Sequence, residues 1–89
     1  GEAEAEAAGG FTEQKNRYIP RGNNHGGIRA GWYTVEEAGD LCEAKDDCMG
    51  FTAANNEWNG KKYWRFKTNW PQFPKGLGVS SSWVTHTRN

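Results

Sequence analysis

Between residues 34 and 47 the apolar positions Val35, Ala38, Leu41 and Cys42 recur at i, i+3, i+6 and i+7, in otherwise charged surroundings. That spacing lays one apolar stripe along an α-helix. Thr34 followed by Glu37 predicts a capping box at its start, in which hydroxyl and carboxylate each satisfy an orphan amide. Asp46 and Asp47 would sit badly at a helix C-terminus, so the helix should stop near Lys45. Over residues 50–67 the pattern changes to a β-hairpin about Asn59-Gly60, the pair suited to a type I′ turn with positive φ at both central residues. A register set by that turn pairs Trp58 with Lys61, Asn56 with Tyr63 and Ala54 with Arg65. On the other face it pairs Glu57 with Lys62, Asn55 with Trp64 and Ala53 with Phe66. Alternation then predicts a core face of Phe51, Ala53, Trp64 and Phe66. The opposite, solvated face holds Thr52, Asn56, Trp58, Lys61, Tyr63, Arg65 and Lys67.

Residues 9–19 predict a first strand ended by Pro20, and 79–87 a last strand. Between Pro20 and Gly31 the chain is rich in Gly and Asn and reads first as a connector. Its side chains Arg21, Asn23, Asn24, His25 and Arg29 also make it a candidate binding loop. Residues 68–78 form a long Pro- and Gly-containing loop, pinned by Trp70 and Phe73. No internal repeat is present.

Composition sharpens the picture. The chain has 89 residues, enough for one small domain. Aliphatic Val, Ile and Leu are sparse (Ile19, Ile28, Val35, Leu41, Leu77, Val79 and Val84), so aromatic rings must build much of the core. So short a core should not absorb all of Trp32, Trp58, Trp64, Trp70 and Trp83, which leaves at least one indole as a candidate contact. The formal charge is +0. Residues 1–8, however, resemble the Glu-Ala spacer of a secretion leader, an expression-leader remnant to be set aside, with 9–89 as the single domain. Without its three Glu, the remainder is mildly basic. Such a leader points to an oxidising, secreted and extracellular setting. No apolar run reaches the roughly 18 residues of a membrane span.

Cys42 and Cys48 should form a disulfide stapling helix to sheet. Zinc is disfavoured, because His25 and His86 are isolated, and no CxxC motif occurs. The stretch from Thr34 through Cys42 and Cys48 to Met49-Gly50-Phe51-Thr52, with Trp64-Arg65-Phe66-Lys67 beyond the hairpin, resembles the PAN/apple family. The resemblance spans about residues 31–67. It implies an α+β fold: a small antiparallel β-sheet packed on a single central α-helix. Two family cysteines that would pair helix with sheet correspond here to Ala38 and Trp64. The register puts both inside, as if a buried ring replaced the bridge.

The resemblance implies a binding module for carbohydrate or protein. No catalytic constellation converges: His25 and His86 have no motif linking them to each other or to Ser80–Ser82, and a lone His reads as a surface residue. The expectation is therefore non-enzymatic, with no cofactor and no metal. Asp40, Glu43, Asp46 and Asp47 read as a solvated acidic face and match no calcium loop. No N-glycosylation sequon occurs. The alternation of Lys, Arg and aromatics over 61–67 could follow a single nucleic-acid strand, but modest charge and a secreted setting argue against it. Glycan binding is the favoured function, in the manner of a lectin. Sugar C–H faces stack on rings, and hydroxyls pair with amides and cations. The candidates are Trp58 and Tyr63 in diagonal contact, flanked by Asn56, Lys61 and Arg65, with Asn24 and His25 from the loop. Folding of Trp58 over its own turn, and packing of Tyr63 under the 68–78 loop, is the plain alternative. Protein–protein adhesion or inhibition is the competing function, since Trp, Tyr and Arg are the usual hot-spot residues.

Overall fold

A computed structural model describes residues 9–73 and 75–89; the leader-like segment 1–8 lies outside the described residues. The elements in order are β1 (Phe11–Tyr18), β2 (Asn23–Asn24), β3 (Gly31–Tyr33), α1 (Val35–Glu43), β4 (Gly50–Ala54), β5 (Lys62–Asn69) and β6 (Gly78–Arg88). The strands form one antiparallel sheet in the order β1-β6-β4-β5-β2, and β3 pairs with the start of β5. The architecture is an antiparallel sheet with one short helix.

The helix starts as its residues dictate. Glu37 N–H donates to Thr34 Oγ1 at 3.1 Å, and Thr34 N–H donates to the Glu37 carboxylate at 3.0 Å. It ends at Ala44, one residue short of the predicted stop. Ala38 and Cys42 are buried, but Leu41 is exposed and Gly39 takes the inward place, so the stripe is narrower than the sequence suggests. No basic residue occupies the last helical turn. Arg88 of β6 substitutes: its guanidinium donates to the carbonyls of Cys42, Lys45 and Cys48 at 2.8–2.9 Å. The Cys42–Cys48 disulfide closes the same loop.

Phe11, Ile28, Ala38, Cys42, Cys48, Phe51, Ala53, Trp64, Phe66 and Val84 make one core cluster. The predicted inner hairpin face is entirely buried, and Trp64 is 2% exposed, with its indole N–H donating to Tyr33 O at 3.1 Å. Ala38 and Trp64 both belong to that cluster, on the inner faces expected of them.

The tight turn forms at the predicted residues, with φ of 54° at Asn59 and 76° at Gly60. Trp58 and Lys61 exchange backbone hydrogen bonds of 2.8 and 3.0 Å across it. Beyond the turn the register differs from expectation. Phe66 faces Phe51, where Ala53 was expected, and Arg65 faces Thr52, where Ala54 was expected. The cause is Asn55, whose amide and side chain bond to Ser82 O and Ser81 O of β6 and draw residues 55–57 off the β5 ladder. The slip is by two residues, so every side chain keeps its face.

Four expectations of exposure are corrected. Thr52 is buried because its hydroxyl bonds to Thr85 Oγ1 at 2.8 Å and to Val84 O. Lys67 is buried because β2 pairs alongside it. His86 packs among Phe51 and Trp64, and His25 docks on Asp47. The 20–31 segment is also more than a connector, since Asn23 and Asn24 pair with Asn69 and Lys67 as β2. Trp70 is buried with its indole N–H donating to Lys75 O and pins the loop as expected, whereas Phe73 is exposed and packs edge-on to Trp70 at 4.8 Å.

Candidate functional site

Strand alternation along Lys61, Tyr63, Arg65 and Lys67 puts these four side chains on the outer face of β5. Trp32 of β3 lies in register with Tyr63 and so shares that face. Trp58, paired with Lys61 across the turn, joins them. The result is three touching rings. Trp32 is edge-to-face with Trp58 at 6.1 Å and with Tyr63 at 5.7 Å. They remain 43%, 58% and 38% exposed for Trp32, Trp58 and Tyr63. The expected diagonal contact of Trp58 with Tyr63 is thus replaced by a trio with Trp32 at its centre. Three exposed rings linked through Trp32 place a large apolar area against water, which folding alone gives no reason to keep.

Polar groups border the rings. The Arg65 guanidinium lies 5.3 Å over the Tyr63 ring, the distance of a cation–π contact. Asn56 is exposed and Lys61 half-buried, next to Trp58 at the turn. Past Arg65, the chain between β2 and β3 leaves a cavity of about 200 Å³, lined by Asn24, His25, Ile28, Ala30, Arg65 and Phe66. Arg65 therefore joins the aromatic trio to the cavity.

Asn24 and His25 serve the scaffold as well. Asn24 Oδ1 accepts from Lys67 Nζ at 2.7 Å. His25 Nδ1 accepts from Gly27 N–H at 2.9 Å, and Nε2 lies 2.6 Å from Asp47 Oδ1. That contact holds the Asp47 carboxyl below its usual range and anchors the 25–30 loop to the loop after α1. Among the described residues the Lys67 ammonium meets the neutral acceptors Asn24 Oδ1 and Gly22 O (3.4 Å). Its pKa is lowered, first by burial and then by repulsion from Arg65.

Of the predicted contact residues, Trp58, Tyr63, Lys61 and Arg65 lie along one strip, Asn56 is exposed before the turn but unpaired with β5, and Asn24 and His25 stand beside the cavity that Arg65 also lines. Sequence reasoning missed Trp32. A three-residue strand shows no periodicity; the one available signal is the Trp32-Tyr33 pair before the helix cap, in which alternation must send one ring out. Among the described residues no three His, Cys, Asp or Glu side chains gather as a metal site. No described helix is long and apolar enough to cross a membrane. Comparison with protein-family models, curated proteins and solved structures finds no match.

Proposed function

We propose that this chain is a secreted, non-catalytic, lectin-like module that binds carbohydrate on the Trp32–Trp58–Tyr63 strip, and that its fold is a divergent PAN/apple-like one. The observation that carries the reading is the uncovered trio of rings on a face bordered by amides and cations. Pyranose rings offer C–H faces that pack on indole and phenol. Their hydroxyls need the planar donors and acceptors that Asn56, Asn24 and Arg65 supply. The two interplanar angles, 66° and 73°, make the strip corrugated rather than flat. Such a surface suits successive sugar units, each against its own ring. The Cys42–Cys48 disulfide is compatible with an extracellular setting.

Alanine at Trp32, Trp58 or Tyr63 tests the reading. Each exposed ring contributes about 1 kcal/mol or less to folding. The thermal midpoint should therefore move little while retention on immobilised glycans is lost. A collapse of stability with each substitution would return the rings to the fold. Retention of a protein partner from solution, with no glycan bound, would favour adhesion instead.

A further inference from the structure

Most of the acidic charges of this small molecule lie to one side. Six acidic residues lie within 36–47, on α1 and the loop after it. Glu13 is in register with His86, which faces Phe51, and so belongs to the helix side of the sheet. Glu57 is paired with Lys62 at 3.1 Å. The outer face of the strands carries Lys61, Arg65 and Lys67 with no carboxylate among them, its register partners being Trp32, Thr52, Thr85 and Gln14. Asp47 reaches the cavity lining through its 2.6 Å contact with His25.

Lys67 adds a second, independent sign. It is 8% exposed, and among the described residues the Nζ is met by an amide oxygen and a backbone carbonyl. Buried ammonium groups ordinarily have an anionic partner, because neutral acceptors only partly offset desolvation. Here the next charged neighbour on the same strand face is another cation, Arg65. Two like charges, one buried and one standing at the mouth of a 200 Å³ cavity, favour an anion arriving from solution.

We propose that the saccharide bound on the ring strip is an acidic one, whose carboxylate or sulfate ester is received by Arg65 at the cavity beside Asn24 while its neighbouring sugar rings lie on Tyr63 and Trp32. This rests on the carbohydrate reading above and adds to it the charge of the ligand. Arg65 is suited to the part, because a guanidinium can offer two parallel N–H donors to one carboxylate or sulfate. Its stacking over Tyr63 fixes where that fork sits relative to the aromatic strip.

The experiment is an array of glycans bearing uronate, sialate or sulfate ester beside neutral glycans of the same linkage types. It is probed with the unsubstituted protein, Arg65→Gln and Lys75→Gln, the last removing one positive charge from a loop residue outside the cavity lining. The expected result is preference for acidic glycans, lost by about tenfold or more in Arg65→Gln and kept in Lys75→Gln. Raising salt from 50 to 300 mM should weaken binding to the acidic glycans severalfold. Equal binding of neutral and acidic glycans, unaffected by Arg65→Gln, would overturn the acidic ligand and leave the carbohydrate reading intact. Equal loss in Lys75→Gln would overturn the site by assigning the preference to diffuse charge. No glycan bound at all would remove the carbohydrate reading, and this inference with it.

Discussion

His86 of β6 lies with its ring stacked on Phe51 at 5.0 Å and 13° and edge-on to Trp64 at 5.5 Å. Its Nδ1 is buried without a hydrogen-bond partner among the described residues. Burial, the largest effect, pushes its pKa below the ordinary 6.5; Lys62 also lowers it, while Glu13 opposes both. The folded state therefore binds fewer protons than the unfolded chain once pH drops to about 6.5. Stability is present above that pH and is lost as pH falls through it, by up to about 1.4 kcal/mol per pH unit. Denaturant midpoints from pH 7.5 to 5.0 should show this decline, and His86→Phe should flatten it. A decline as steep in His86→Phe would place its origin elsewhere. A neighbouring contrast is equally informative. Trp58 and Trp64 are six residues apart on one hairpin, yet one is 58% and the other 2% exposed. Alternation from a single turn is enough to sort them. Trp32 carried no such signal, because its exposure is fixed by pairing with Tyr63 rather than by its own neighbours in sequence. The two histidines were misjudged for a related reason: a ring stacked on Phe51 or bonded to Asp47 owes its burial to residues 35 and 22 positions away.

At the scale of elements, local rules govern some joints and tertiary ones the rest. The helix start and the hairpin turn are specified by adjacent residues, through the capping box and the positive φ values at Asn59 and Gly60, and both form where the sequence places them. The helix end is held from afar, by Arg88 of the last strand and by the disulfide to Cys48. β2 and β3 have two and three residues and exist only because β5 offers them backbone partners. Their absence from the sequence-level picture follows from that. The hairpin register was set correctly at the turn and slipped by two residues at Asn55, where β6 outcompetes β5 for the backbone. Cys42→Ala with Cys48→Ala should lower unfolding stability by about 2 kcal/mol, the entropy of a short closed loop, without changing the far-ultraviolet spectrum. No loss would mean that the three Arg88 hydrogen bonds already hold the loop closed.

Over the whole molecule, two surfaces divide the work. The helix side gathers the core and most of the acids, the outer sheet face carries the exposed rings with Lys61 and Arg65, and the cavity is lined from both, by Arg65 and by core residues Ile28 and Phe66. Scarce aliphatics force the core to be aromatic, with Phe11, Trp64 and Phe66 each in edge-on or tilted contact with Phe51. The remaining rings at Trp32, Trp58 and Tyr63 are then free of that duty. The central claim is that these exposed rings, and not the buried ones, meet the ligand. The indole N–H signals of the five tryptophans in a proton–nitrogen correlation spectrum test it most directly, during titration with the glycan bound most strongly on the array. The account predicts that the signals of Trp32 and Trp58 move while those of Trp64 and Trp70, bonded to Tyr33 O and Lys75 O, stay in place. Movement confined to Trp70 or Trp83, with Trp32 and Trp58 unchanged, would contradict it.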